Sequence, residues 1–320
     1  MPMIVFGEGN AYCNKLRGRY IIECCFDISL HDSFGQPERN ANFMTTTAET
    51  VWKERLSTMD TSIEAIQLPS EGDGGLSQDE EWCVVTVEGS RRRIRFHDYA
   101  SIYEIPGLYE QLFYDRLKCS SPFRVSRLLA DVLRERGQAP EDLRVLDLGA
   151  GNGMVGDELH TLGMKTIVGV DIIRQARSAA IRDRKGIYQE YLVADMTDLP
   201  EDTARRLTSK KLNCLTTVAT LGFGDIPPKA FSTALSLIST PGWLAFNIKE
   251  DFLYDRDDSG FARLIRELSR SEVIRIEAYR RYRHRLAIDG RPIYYVAMIA
   301  SKQKKIPLSS PKGSDLPRLQ

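Results

Sequence analysis

Residues 145–156 read Val-Leu-Asp-Leu-Gly-Ala-Gly-Asn-Gly-Met-Val-Gly and hold the densest chemistry in the chain. A glycine turn between an apolar strand and a helix lets backbone pass close to a ligand. Side chains at Gly149 and Gly151 would collide with whatever lies over the turn, and one at Gly153 would keep the first helical turn from packing tightly. The free N–H groups at the helix start then face an anionic group. Acids accompany the glycines. Asp147 stands in the strand before them, Asp171 ends the next strand (166–170), and Asp195 ends the third (191–194). A single Asp before a helix is often only a cap. Three in order at successive strand ends form a binding pattern.

Two families share this machinery. Gly151-x-Gly153-x-x-Gly156 satisfies the dinucleotide fingerprint, and Asp171 sits where a ribose-binding acid belongs in a nicotinamide or flavin enzyme. The run, however, opens one step earlier with an acid, Asp147-x-Gly149-x-Gly151-x-Gly153, and this pattern resembles motif I of the class I S-adenosylmethionine-dependent methyltransferases. Asp195 in Val193-Ala194-Asp195-Met196 and a C-terminal hairpin extend the resemblance over about Pro122 to Ala300. It implies a doubly wound, mostly parallel α/β sheet of seven strands in the order 3-2-1-4-5-7-6, with S-adenosylmethionine as cofactor. It also implies roles. Asp147 orders the loop near the methionine amino end, and Gly149, Gly151 and Gly153 pass under the cofactor. Asp171, followed by Ile172, accepts hydrogen bonds from both ribose hydroxyls. Asp195, with the backbone of Met196, holds the adenine, and Thr220 ends the fourth strand on the same rim. An NAD(P)-dependent oxidoreductase and a non-catalytic S-adenosylmethionine-binding protein are the alternatives.

Methyl transfer from a sulfonium is an in-line displacement, so the protein mainly supplies alignment and a dry site. A base is needed only if the acceptor must lose a proton before attack. Candidates are few. Glu250 closes the fifth strand and could touch a polar acceptor. His284 lies in Tyr282-Arg283-His284-Arg285-Leu286, where packing is the competing role. His97 and Tyr99 open an aromatic segment that continues through Tyr103, Tyr109, Phe113 and Tyr114. This segment is placed to fold over the cofactor as a lid, with Tyr103 facing the acceptor, although ordinary core packing would use the same residues. The fourth strand ends Thr220-Leu-Gly-Phe-Gly-Asp225-Ile-Pro-Pro228. That is not the Asp/Asn-Pro-Pro-aromatic motif of enzymes that methylate the exocyclic amines of DNA bases or glutamine amides. Asp225 either faces the ligand or caps the helix opened by Pro227.

The elements around these residues fall into four regions. Residues 1–43 show no lasting period and are expected to be poorly ordered or non-native. Residues 44–118 carry a hairpin (Val85 and Val87, turn Glu88-Gly89-Ser90, Ile94 and Phe96) and the helical lid, and a helix-like run spans 51–56. Residues 119–301 alternate strand and helix, which implies a parallel sheet covered on both sides. In this region Ser121-Pro122 opens a helix whose face is Val125, Leu128, Leu129, Val132 and Leu133. It closes on an antiparallel pair, 274–286 and 292–300, joined through Asp289-Gly290. Residues 302–320 read as a flexible basic tail. The 44 basic and 44 acidic residues cancel, which disfavours a phosphate-binding nucleic-acid partner and leaves a small-molecule acceptor as the expectation. Two arginine clusters, 91–93 and 280–285, argue the other way. No apolar run is long enough for a membrane helix. The six cysteines form no C-x-x-C pair and show no zinc spacing, so reduced thiols in a cytoplasmic protein are expected. Oligomeric state is not legible.

Overall fold

The computed structural model describes residues 4–5, 61–69, 76–221, 225–253 and 259–306. The central strands of the main sheet are apolar runs buried on both faces, as a parallel sheet covered by helices requires. Strands β5 (Arg144–Leu148), β6 (Thr166–Asp171), β7 (Glu190–Val193), β8 (Cys214–Thr217) and β9 (Gly242–Lys249) run parallel. The hairpin β10 (Ile274–Leu286) and β11 (Pro292–Lys302) adds antiparallel to β9 through β11. Reading across the sheet gives β10-β11-β9-β8-β5-β6-β7, which is the expected seven-strand order. A two-residue strand β1, Ile4–Val5, lies parallel to β10 at the edge. The rest of 1–43, the run 51–56 and the tail beyond 306 lie outside the described residues.

One face of the sheet is covered by the helix Ser121–Glu135, whose Leu128, Leu129, Val132 and Leu133 are buried with Leu159 and Ile167. The other face packs under helices Pro228–Ser236 and Phe261–Arg270, where Phe231, Phe246 and Phe261 meet edge to face. Helices Met154–Thr161, Arg174–Asp183 and Glu201–Ser209 complete the βα alternation. Successive strands step outward in one direction from β5 to β7 and in the other from β8 to β9. A crevice must therefore open between β5 and β8 at the carboxyl ends of the strands.

The N-terminal part is a second, smaller layer. The expected hairpin is β3 (Trp82–Val87) with β4 (Ser90–Arg95), and a strand the sequence did not announce, β2 (Ile63–Gln67), pairs with β3. Its core joins Cys83, Val85, Ile94 and Phe96 to the aromatic segment. That segment forms a helix, Tyr99–Glu104, and a wide π-helical turn, Glu110–Arg116. Leu117 O accepts from Leu286 N at 2.7 Å and His284 O accepts from Ser120 N at 2.9 Å, so the segment is pinned to β10. Strand β8 ends three residues earlier than expected. Ala219 takes φ +59, and its N–H donates to Asn247 Oδ1 at 2.6 Å instead of to a neighbouring strand. The chain there has left the sheet to line the crevice.

Candidate active site

The crevice holds a cavity of about 310 Å³, and the glycine turn is its floor. Gly149, Gly151 and Gly153 all have positive φ, at +67°, +54° and +92°, which an L side chain rarely adopts. A Cβ at Gly151 would lie 2.6 Å from the Tyr103 hydroxyl, so the turn tolerates no side chain facing the lid. Helix Met154–Thr161 starts directly after Gly153. Tyr191 OH donates to Gly151 O at 2.6 Å and braces the turn from behind.

The three acids stand at three depths. Asp147 is buried beneath the turn, outside the cavity lining. Tyr188 OH and Thr216 Oγ1 each donate to one of its oxygens at 2.7 Å. Burial pushes its carboxyl up to about 6, against the pull of those two hydroxyls. Asp171 lines the cavity. Its oxygens accept from Gly151 N and Ile173 N, each at 2.9 Å, and burial holds its carboxyl above the usual range. Asp195 also lines the cavity and is solvated. The Thr197 backbone N–H and hydroxyl both donate to Oδ1, and they hold its carboxyl below the usual range. Ile172, 62% exposed, and the buried Met196 supply apolar walls beside these acids, and Thr220 forms the rim at the end of β8.

The raised carboxyl of Asp147 has a consequence for stability. Its folded value lies above its unfolded one, so the neutral form stabilises the fold below about pH 4, and that contribution is lost as pH rises through about 6. Asp147→Asn should therefore gain on the wild type in melting temperature between pH 4.5 and pH 7. Equal differences at both pH values would mean that the carboxyl does not titrate in that window.

The lid lies over this floor. Tyr99, Tyr103, Tyr109 and Tyr114 all line the cavity, with ring centroids 6.1 Å apart for Tyr99–Tyr103 and 5.3 Å for Tyr103–Tyr109. Desolvation raises all four phenols above their ordinary value, so they stay neutral hydrogen-bonding groups at pH 7. Helix Tyr99–Glu104 packs on helix Arg174–Asp183, and Arg182 donates to Tyr103 O at 3.2 Å. The lid and the turn are also locked from inside. Glu110 Oε1 accepts from Asn152 Nδ2 at 2.6 Å and from Arg184 at 2.7 Å, and all three residues are buried.

Two of the residues considered as bases stand elsewhere. Glu250 is outside the cavity lining, in an ion pair with Arg281 Nε at 2.9 Å, because β9 ends at Lys249 and Glu250 opens a 3-10 turn, Glu250–Leu253. His284 is buried under the lid. Its Nδ1 lies 2.6 Å from Ser121 Oγ and its ring stacks on Tyr295 at 4.1 Å. Desolvation, then the nearby Arg285 charge, holds it well below the usual histidine range. It belongs to a buried network, Ser121–Tyr282–Asn247, that fixes the Ala219 loop. A small annex of about 30 Å³ adjoins the main cavity and is lined by His284, Cys119, Arg285 and Tyr295. His97 and Asp225 line both spaces, with Nδ1 and Oδ1 3.5 Å apart. Asp225 does not cap the following helix, whose N-cap is Pro227 with no side-chain hydrogen bond.

Arg184, Glu110, Tyr188, Tyr191 and Thr216 also build the site, although nothing local in the sequence points to them. No period or motif marks them. The one trace is the small residue Gly169, where a Cβ would lie 2.9 Å from Tyr191 and 3.0 Å from Tyr188. Among the described residues no cluster could hold a metal ion, and no helix is long and apolar enough to cross a membrane.

Solved structures with a similar arrangement include magnesium protoporphyrin IX methyltransferase from Synechocystis with bound S-adenosylmethionine. That match has 15% identity and a TM-score of 0.40, covering 57% of this chain and 79% of that one. The N-methyltransferase NodS from Bradyrhizobium japonicum, in complex with S-adenosylhomocysteine, has 13% identity and a TM-score of 0.40, covering 57% and 86%. The ribosomal protein L11 methylase from Lactobacillus delbrueckii has 16% identity and a TM-score of 0.37, covering 57% and 79%. No curated protein matches the chain. The family described as "Methyltransferase domain" matches residues 123–286, just over half of the chain, from the helix under the sheet through β10. With the glycine turn, the strand-end acids and the 3-2-1-4-5-7-6 sheet inside or bordering that span, the chain belongs to the methyltransferase domain family, with the class I fold and S-adenosylmethionine as its cofactor.

Proposed function

We propose that this methyltransferase acts on a small molecule held between the tyrosine lid and the end of β8, with the cofactor lying across the ends of β5, β6 and β7. The observation that carries this reading is the cavity itself. Four tyrosines roof it, the strand-end loops floor it, and its volume of about 310 Å³ is at the lower end of the range for small-ligand sites. A roof of this kind excludes water from a transfer step and suits a compact acceptor better than a polymer.

The residues present fit the cofactor. Asp171 has a carboxylate at the cavity wall for the ribose hydroxyls. Ile172 and Met196 offer apolar faces to the adenine, Asp195 a carboxylate to its amino group, and the backbone of the glycine turn a floor for the methionine end. When bound, the cofactor supplies a methyl group on a positively charged sulfur. The chain aligns it, with the buried Asp147 bracing the turn from below and the neutral phenols above donating hydrogen bonds without repelling positive charge. Several of the arginines in the two clusters have partners within the fold, while Arg91, Arg92, Arg93, Arg281 and Arg283 are exposed. Arg281 pairs with Glu250 and stacks on Tyr294, Arg285 pairs with Glu81, and Arg93 stacks on Trp82.

Tyr109 lines both the cavity and the annex, so its loss is expected to affect the acceptor more than the cofactor. Tyr109→Ala should lower methyl transfer to a small-molecule cell extract on the order of a hundredfold. Its affinity for S-adenosylhomocysteine should stay within about threefold of wild type, a difference of under 1 kcal/mol. Salt-dependent transfer of labelled methyl to total RNA, with none to the extract, would contradict this reading.

A further inference from the structure

We propose that His97, oriented by Asp225, is the general base of the reaction and that the acceptor group is a hydroxyl on an aromatic ring. The inference rests on the methyl-transfer reading above. Four observations carry it. His97 and Asp225 come from distant parts of the chain, the end of the small N-terminal sheet and the loop after β8, and meet with Nδ1 and Oδ1 3.5 Å apart. Both side chains are partly exposed, at 18% and 29%, so a ligand can reach them. Both line the main cavity and the annex, so they stand where the two spaces join. Asp225 makes no helix cap that would otherwise explain it.

A carboxylate at Nδ1 favours the tautomer with the proton there and makes Nε2 the basic atom. Separations of this size shorten when a ligand closes the site. The other candidates lack this placement. His284 is buried and held neutral, and Glu250 is paired away from the cavity. The chemistry then selects the acceptor. An aryl amine already carries an available lone pair and needs no base. An aliphatic alcohol holds its proton far more tightly, so giving it to an imidazole costs more. A phenolic hydroxyl, near pKa 10 by analogy with tyrosine, lies within reach of one. Tyr99, Tyr103 and Tyr109 present ring surface to the same cavity, which suits a planar aromatic body.

The step balances. Nε2 of His97 takes the hydroxyl proton, and the resulting imidazolium is stabilised by Asp225. The oxygen lone pair forms the bond to the methyl carbon, and the carbon–sulfur bond breaks with its electron pair going to sulfur, which becomes a neutral thioether. The imidazolium then returns its proton to water. The annex, with room for about one water molecule, adjoins His97 and offers that proton a way out.

The test uses 4-nitrophenol, whose ionised form absorbs at longer wavelength, titrated into the full chain saturated with S-adenosylhomocysteine at a pH where the free ligand in buffer is mostly the neutral phenol. The expected result is binding with the phenolate band, at least about tenfold weaker in both His97→Gln and Asp225→Asn, and no competition from cyclohexanol. Labelled methyl transfer to catechol should fall about a hundredfold in His97→Gln. S-adenosylhomocysteine affinity, measured by calorimetry on the same variants, should be unchanged and serves as the check that they fold. No binding, binding as the neutral phenol, a phenolate band retained in both variants, or methyl transfer to aniline but not to catechol would overturn the inference while leaving the methyl-transfer reading intact. Failure of the wild type to bind S-adenosylhomocysteine would overturn both.

Discussion

Arg184→Met should destabilise the fold by about 3–5 kcal/mol, the cost of leaving one buried charge without its partner. Arg184 and Glu110 are both buried and 2.7 Å apart, and Arg184 NH1 also donates to Asn152 O at 3.0 Å. Burial pulls the guanidinium down, but the charge and hydrogen bond of Glu110 outweigh it, so Arg184 sits above its ordinary value. The pair joins three elements that must meet at the site: the glycine turn, the lid through its π-helical segment, and the end of helix Arg174–Asp183. Without the arginine, Glu110 must protonate or draw in water. Replacing both residues, as Arg184→Met with Glu110→Met, should restore most of the loss, because two apolar side chains of similar volume fill the same space. Urea unfolding of the wild type, both single variants and the double variant measures this. A single variant within about 1 kcal/mol of wild type would show that the pair is not holding the lid to the turn.

Asp171→Ala should weaken S-adenosylhomocysteine binding by about 2–3 kcal/mol, or roughly 30- to 150-fold. The carboxylate has two tasks. It accepts the Gly151 and Ile173 N–H groups at 2.9 Å, which sets the turn, and it stands in the cavity wall where ribose hydroxyls would meet it. Asp171→Asn keeps one acceptor oxygen and should fall between alanine and wild type. A loss under about half a kcal/mol for alanine, measured by calorimetry, would mean that the carboxylate only braces the backbone.

What the sequence made legible follows from local constraint. The glycine turn must have its spacing, because positive φ and close approach leave few substitutes, so Asp147, Gly149, Gly151 and Gly153 could be placed before the fold was known. The alternation of buried strands and helices likewise gave the sheet, and Asp-Gly gave the β10–β11 turn. The lid was legible as an aromatic run from Tyr99 to Tyr114 but not as a π-helical turn, whose geometry is set by Glu110 reaching Asn152 and Arg184. Contacts between distant residues carried no local signal. Tyr188 under Asp147, Asn247 under Ala219, and His97 beside Asp225 are each separated by tens of residues and are brought together only by strand order. Glu250 shows the converse. Its place at a strand end suggested the crevice, but the 3-10 turn that begins there pairs it with Arg281.

Calorimetry of the full chain against S-adenosylhomocysteine and NADH separates the two cofactor classes, since a glycine turn followed by a strand-end acid suits both and the adenine contact proposed for Asp195 suits the first alone. The account predicts binding of S-adenosylhomocysteine in the micromolar range and no heat with NADH. Binding of NADH with no heat from S-adenosylhomocysteine would contradict it.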